Sequence, residues 1–115
     1  MTHIRTGKMK SMFTPVAQSR SLQAATMILP PGGESGDRVE NEHPKSEQWL
    51  FVESGTATAR VGDRSVKLSP GSLLLIEKGE RHQIRNTGTA VLRTINFYCP
   101  PAYTATSGVK PSVQR

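Results

Sequence analysis

Four polar residues have the types and the spacing of metal ligands, and they fall in two separate segments of the chain. Asn41 and His43 are two positions apart, Gln48 follows shortly afterwards, and His82 lies much further along. Neutral imidazole nitrogens and amide oxygens are donors that divalent transition metals accept, and an incomplete protein shell leaves positions for water or substrate. The first question is therefore whether these four side chains meet.

Alternation along two short segments predicts that the polar side chains face a common interior. In "RHQIRN", residues 81–86, His82 shares a face with Ile84 while the two arginines share the opposite face. Gln48 shares a face with Leu50 in the same way. An inward imidazole needs a hydrogen-bond acceptor or a metal, because leaving it unpaired costs about 1–3 kcal/mol. Alternation alone leaves both possibilities open.

The elements that position these residues are predicted to be short strands. No stretch of eleven residues or more has helical periodicity, and runs rich in Val, Ile, Leu, Thr and Phe recur between turn residues. Even spacing of short strands and glycines is typical of a β-sandwich or small barrel. The sequence predicts an all-β fold with strands near 23–29, 48–54, 56–61, 64–68, 72–77, 81–86 and 90–98.

The length and the distribution of apolar residues indicate one domain with two polar ends. The chain has 115 residues, of which 35% are hydrophobic. Few large apolar side chains occur near either end, so we expect a basic N-terminal arm over 1–21, a barrel over 22–99 and a proline-rich tail over 100–115.

The charge distribution argues against a nucleic-acid-binding protein. The formal charge is +6, but all nine acidic residues lie between Glu34 and Glu80, and the nine basic residues of 22–99 balance them. The excess is confined to the two ends, and no basic stripe with interleaved aromatic residues is present. No segment has the length of a membrane span or of a secretory signal. The single cysteine, Cys99, rules out an intramolecular disulfide framework, and we expect a cytoplasmic protein.

Two motifs resemble the signatures of the cupins, a family of double-stranded β-helix (jelly-roll) barrels. The second cupin motif is matched at every spacing by Gly71, the triplet 77–79, His82 and Asn86, with Glu77 in place of proline. The first motif, His-x-His followed by glutamate and glycine, is matched in part by Asn41-Glu42-His43, Gln48 and Gly55. The resemblance implies the cupin barrel for most of residues 22–99.

The resemblance also implies a metal site, from which this chain departs at two positions. Cupins typically bind Fe, Mn, Ni, Zn or Cu, and the ligands carried over are His43 and His82. Asn41 stands where the family has its first histidine, and Gln48 stands where it has glutamate. Loss of one anionic ligand should weaken metal binding and strengthen the Lewis acidity of a bound metal. The alternatives are loss of the metal, or a bulge that turns Glu47 inward.

These observations predict a metal-binding cupin with a small-molecule pocket, with a dioxygenase, isomerase or decarboxylase activity on a small polar substrate. The alternative is a non-catalytic binding or sensing module, and the sequence does not decide whether the chain is an enzyme. Outward aromatic residues on the strand of Gln48 favour a homodimer, which the resemblance to small cupins also implies. The predicted pocket residues are Met27, Leu50, Ile84 and Phe97.

Overall fold

The computed structural model describes residues 1–36 and 44–103 and confirms the all-β prediction. One turn of 3-10 helix at Thr6–Lys8 precedes eight strands. The strands are β1 (Phe13–Gln18), β2 (Gln23–Leu29), β3 (Glu47–Ser54), β4 (Ala57–Val61), β5 (Arg64–Leu68), β6 (Leu73–Ile76), β7 (His82–Arg85) and β8 (Leu92–Cys99). No helix within these residues is long and apolar enough to cross a bilayer.

The strands form two antiparallel sheets that enclose one interior. The larger sheet has the order β1-β2-β8-β3-β6 and the smaller has the order β5-β4-β7. Alternate side chains of β3, β7 and β8 are buried, as the period of two requires, whereas β2 is buried on both faces over residues 25–29. The buried apolar cluster that results consists of Met27, Leu29, Leu50, Val52, Ala57, Ala59, Leu68, Ile76, Ile84 and Leu92.

The first strand lies in the segment that the sequence predicts to be an arm. β1 pairs with β2 at the border of the larger sheet, and its register shifts between Pro15 and Ala17. Proline cannot donate a backbone hydrogen bond, so it is tolerated in an edge strand or at a bulge. Before β1, the chain is held by Arg93, whose guanidinium donates to the carbonyls of Thr6 and Met9 at 3.0 and 3.2 Å.

A tight turn between β6 and β7 places the start of β7. The Glu80 N–H donates to the Glu77 carbonyl at 3.0 Å, and Gly79 takes a φ of 88°, which a residue with a side chain rarely adopts. The Glu77 N–H donates to Glu80 Oε1 at 2.8 Å. A proline at 77, as in the cupin motif, could not make that bond.

The first residues of the predicted tail pack against the barrel. Ala102 and Tyr103 are buried, and their N–H groups donate to Gln23 Oε1 at 3.1 and 3.0 Å. The Gln23 Nε2 donates back to the Tyr103 carbonyl at 2.8 Å. Ser46 Oγ donates to the Pro100 carbonyl at 2.6 Å. Residues 100–103 are thus held by the side chain of Gln23 in β2 and by that of Ser46, the residue before β3.

Candidate functional site

A small cavity opens at one end of the interior, which we call the barrel mouth. Its volume is about 40 Å³. Residues of both sheets and of the C-terminal segment line it: Phe13, Met27, Ser35, Gln48, His82, Ile84, Tyr98 and Tyr103. Two residues that the sequence predicts as metal ligands, Gln48 and His82, therefore share one cavity.

The turn before β7 fixes His82. The side chain is 4% exposed, and its Nδ1 lies 3.0 Å from the Glu80 carbonyl oxygen. Because a carbonyl can only accept, Nδ1 carries the proton of this bond, and in the neutral imidazole the lone pair is on Nε2. Histidine ligands of metals are commonly oriented in this way by a backbone carbonyl.

The amide of Gln48 is fixed by a second buried amide. Gln48 is 4% exposed, and its Nε2 donates to Asn96 Oδ1 at 2.9 Å. The amide oxygen of Gln48 is consequently turned away from Asn96. The neighbouring carboxylate points to the other side of the sheet, where Glu47 Oε2 accepts from Trp49 Nε1 at 2.7 Å. The alternative in which a bulge turns Glu47 inward is therefore wrong.

Three aromatic rings form one wall of the cavity. Phe13 lies 4.7 Å from Tyr103 and 6.2 Å from Tyr98, measured between ring centroids, and the two tyrosines lie 5.0 Å apart. The planes are tilted or close to edge-to-face, which is the favoured geometry for aromatic pairs. The cavity is therefore lined by aromatic rings as well as by the polar ligand candidates Gln48 and His82.

The predicted pocket residues divide between the cavity, the core and the outer face. Met27 and Ile84 line the cavity, and Leu50 is fully buried in the apolar cluster. Phe97 must be corrected, because it lies on the outer face of the larger sheet, opposite Trp49 in the register of β3 and β8. The interior side of β8 instead carries Asn96 and its alternate neighbours.

Two predicted ligands cannot be placed. Asn41 and His43 lie outside the described residues. His3, which the sequence does not assign to the site, is exposed.

Four lining residues were missing from the sequence predictions, namely Phe13, Ser35, Tyr98 and Tyr103, and so was Asn96, the partner of Gln48. Asparagine is uncommon within strands, so its position in the middle of β8 is a signal that could have been used. Tyr98 is two residues after Asn96 and so lies on the same side of β8, and an inward Asn96 would have predicted an inward Tyr98 as well. Nothing in the proline-rich tail indicates that Tyr103 returns to the barrel.

The donors at the mouth suit a divalent transition metal. In the described part of the chain no group of three His, Cys, Asp or Glu residues could hold a metal. The cavity nevertheless brings together an imidazole whose tautomer is set and an amide whose oxygen is turned away from its partner. Both are neutral ligands that such metals accept. The residues therefore fit a metal held without an anionic side chain from this part of the chain.

Comparison with known proteins identifies the fold family. The family model described as "Cupin domain" matches residues 25–98. The chain is 28% identical to the tetracenomycin polyketide synthase protein TcmJ of Streptomyces glaucescens, covering 88% of this chain and 66% of that protein. It is 32% identical to protein SchB of Streptomyces halstedii, covering 84% of this chain and 68% of that protein. The chain thus spans about two thirds of the length of these curated relatives.

The structural comparison agrees. The crystal structure of BH2720 from Bacillus halodurans superposes with a TM-score of 0.79 at 25% identity, covering 86% of this chain and 77% of that chain. A double-stranded β-helix protein of the cupin type from Methanocaldococcus jannaschii superposes with a TM-score of 0.70 at 15% identity, covering 85% and 87% of the two chains, and supports the fold alone. The resemblance seen in the two sequence motifs is confirmed, and the chain belongs to the cupin family.

Proposed function

We propose that this chain binds a divalent transition metal at the barrel mouth and uses it on a small organic molecule. His82 and His43 would supply imidazole nitrogens, and Gln48 and Asn41 would supply amide oxygens. The observation that carries the proposal is the pair of bonds that orient the described donors: His82 Nδ1 with the Glu80 carbonyl, and Gln48 Nε2 with Asn96. Both bonds use the proton-bearing side of the group, which is the side a metal cannot use.

The charge of the donors sets the strength and character of the site. No Asp or Glu is among the described residues that line the cavity. A bound metal would polarise a substrate oxygen as a Lewis acid, with more residual positive charge than in a site containing a carboxylate. We therefore expect weaker binding than in cupins with a glutamate ligand. Fe, Mn, Ni, Zn and Cu are the metals to test.

The size of the cavity limits what can enter beside the metal. A cavity of about 40 Å³ has room for only a few water molecules, since each needs about 10–15 Å³ by this measure. Clefts for organic ligands usually measure roughly 300–1,000 Å³, so we propose that part of the lining, such as the aromatic wall, moves when a substrate enters. Tyr103 is the part of that wall contributed by the C-terminal segment.

The reaction class follows from the family and not from a catalytic dyad. We propose a dioxygenase, isomerase or decarboxylase reaction of a small polar molecule. TcmJ is described as a polyketide synthase protein, so polyketide intermediates are the first substrate class to test.

Metal content tests the proposal. Protein purified without a chelating tag is analysed for the five metals, then stripped and titrated with each of them by calorimetry. The expected result is one metal per chain, with affinity lost in His82→Ala and His43→Ala. His3→Ala is the matched control, because His3 is exposed and should leave binding unchanged. Retention of full affinity by both site variants would overturn the ligand assignment.

The second candidate is a non-catalytic binding or sensing module. The small cavity and the neutral donors favour it, since both are compatible with a barrel that has lost part of its metal shell. A metal-free, fully stable protein that still binds an organic ligand would support this candidate. A stoichiometric redox-active metal would support the enzyme.

We also propose that the outer face of the larger sheet joins two copies of the chain. Trp49 pairs with Leu75 and Phe51 with Leu73 across β3 and β6, so the four side chains form one patch. Their exposed fractions are 36%, 36%, 39% and 60%. Four apolar side chains can face their own copies about a two-fold axis without charge repulsion, and monomers rarely expose large apolar patches.

Light scattering after size exclusion tests the dimer. The expected mass is that of two chains, and Leu73→Glu should yield the mass of one. Leu22→Glu is the control, since Leu22 is a comparably exposed leucine, at 38%, that precedes β2 at the other border of the larger sheet. A wild-type protein that is monomeric at micromolar concentration would contradict the proposal.

A further inference from the structure

Four groups form a chain of hydrogen bonds across the larger sheet, and the chain ends at the cavity. Gln48 Nε2 donates to Asn96 Oδ1 at 2.9 Å, and Asn96 Nδ2 donates to Thr94 Oγ1 at 3.0 Å. Thr94 Oγ1 donates in turn to the Met27 carbonyl at 3.5 Å. All three side chains are 4% exposed or less, so water does not compete for these bonds.

The direction of the chain is set by the backbone. The Met27 carbonyl can only accept, so the Thr94 hydroxyl donates to it and accepts from Asn96. Asn96 Nδ2 also faces the Ala25 carbonyl at 3.5 Å, a second group that can only accept. Both contacts keep the side-chain nitrogen of Asn96 towards Thr94 and the Ala25 carbonyl, and its oxygen towards Gln48. Gln48 must then present its –NH₂ group to Asn96 and turn its oxygen the other way.

We infer that Asn96 is a positioning residue that makes Gln48 usable as a metal ligand. The inference rests on the metal-binding function proposed above and concerns the same site. A glutamate offers an oxygen in either orientation of its carboxylate, whereas a glutamine offers one in only one of two amide orientations. An amide in this place therefore needs a neighbour that selects the orientation, and Asn96 supplies an acceptor that does so.

The role is distinguishable from a purely structural one by nuclear magnetic resonance of the metal-free protein. The side-chain –NH₂ signal of Gln48 is identified by its loss in Gln48→Glu. In the wild type its two protons should have separated shifts and slow solvent exchange, and Asn96→Leu should move them to the values of an unconstrained glutamine. Metal affinity should fall about 10–100-fold in the same variant, the usual range for residues that support metal ligands.

Thr94→Val and Thr26→Val form a matched pair. Thr94 and Thr26 are 1% and 2% exposed, but Thr26 Oγ1 has no hydrogen-bond partner among the described residues. Thr94→Val should move the Gln48 –NH₂ signals towards those of an unconstrained glutamine and weaken metal binding several-fold. This variant keeps the test available if Asn96→Leu fails to fold. Thr26→Val should change neither the signals nor the affinity.

The outcomes separate this inference from the proposed function. An unchanged Gln48 signal in both Asn96→Leu and Thr94→Val would overturn the positioning role. A changed signal with unchanged metal affinity would also overturn it, since the orientation would then not serve the metal. A wild type that binds no metal would overturn the proposed function, while the resonance data would still show whether Asn96 orients Gln48.

Discussion

The two ends of the barrel interior are built from the same strands but from different chemistry. At the closed end, Leu29 of β2 pairs with Leu92 of β8, and both are buried in the apolar cluster. At the mouth, Tyr98 of β8 stands between Gln23 and Gln48 in the register of its two neighbours. The closed end is largely apolar, with the buried Asn86 donating to the Leu29 carbonyl at 2.9 Å, whereas the mouth has several buried polar groups that each need a partner with the correct donor or acceptor. Most of the apolar packing thus lies towards one end of the strands, and the proposed ligand site lies towards the other.

The largest expected effect lies at the closed end. Leu92→Ala should lower the free energy of unfolding by about 2–5 kcal/mol, because it removes buried methyl groups and leaves a cavity. Urea denaturation of the metal-free protein measures the change. Metal affinity of the fraction that remains folded should stay within a factor of about two. A large loss of affinity would show that the two ends are not separate.

Acidification should act on the mouth through its histidines. Metal ligands must be neutral, and an ordinary imidazole has a pKa of about 6.5, so affinity should fall as the pH drops through that value. Between pH 7.5 and 5.5 we expect a loss of about tenfold for each histidine that must release a proton. Calorimetric titrations across this range measure the slope, which His43→Ala should reduce. A flat dependence would exclude histidine ligands.

Gln48→Glu should raise the metal affinity and lower the stability of the metal-free protein. The added charge should tighten metal binding on the order of tenfold. Without metal, an ionised carboxylate would face Asn96 Oδ1, which is also an acceptor, at a cost of about 1–3 kcal/mol. A protonated carboxyl can donate to Asn96, so this cost should shrink as the pH is lowered and grow as it is raised. Stability equal to that of the wild type at all pH values would contradict the fixed direction of the amide chain.

Glu77→Pro should have the smallest effect. The substitution restores the proline of the cupin motif and removes the exposed bond from the Glu77 N–H to Glu80 Oε1. The loss of that bond is offset by a more restricted unfolded chain, so stability should change by less than about 1 kcal/mol. Metal affinity should not change, because His82 depends on the carbonyl of Glu80 and not on its carboxylate. A clear loss of metal binding would show that the bond between the Glu77 N–H and the Glu80 carboxylate is needed to position His82.

The sequence predicts the sheets better than it predicts the mouth. Alternation correctly places Ile84 and His82 inside, because in β7 the apolar residue and the histidine share one side. It fails for Phe97 because β8 reverses the usual pattern, with Thr94 and Asn96 inside and the phenylalanine outside. That reversal is stabilised by hydrogen bonds between side chains far apart in the sequence, which no local pattern reveals.

The borders of the barrel were also beyond local patterns. β1 contains Pro15, which argues against a central strand and does not by itself distinguish an edge strand from a loop. Tyr103 follows two prolines, and its burial depends on Gln23, which lies 80 positions earlier. Motif spacing, by contrast, was sufficient to bring Gln48 and His82 to one cavity.

The anchoring of residues 100–103 has a practical consequence for anyone who trims this chain. The family match ends at residue 98, which invites truncation at Cys99. Such a shortened protein would leave the Gln23 amide without three of its bonds and the Ser46 hydroxyl without its acceptor. It would also remove one of the three rings that wall the cavity. The smallest unit worth expressing therefore extends through Tyr103.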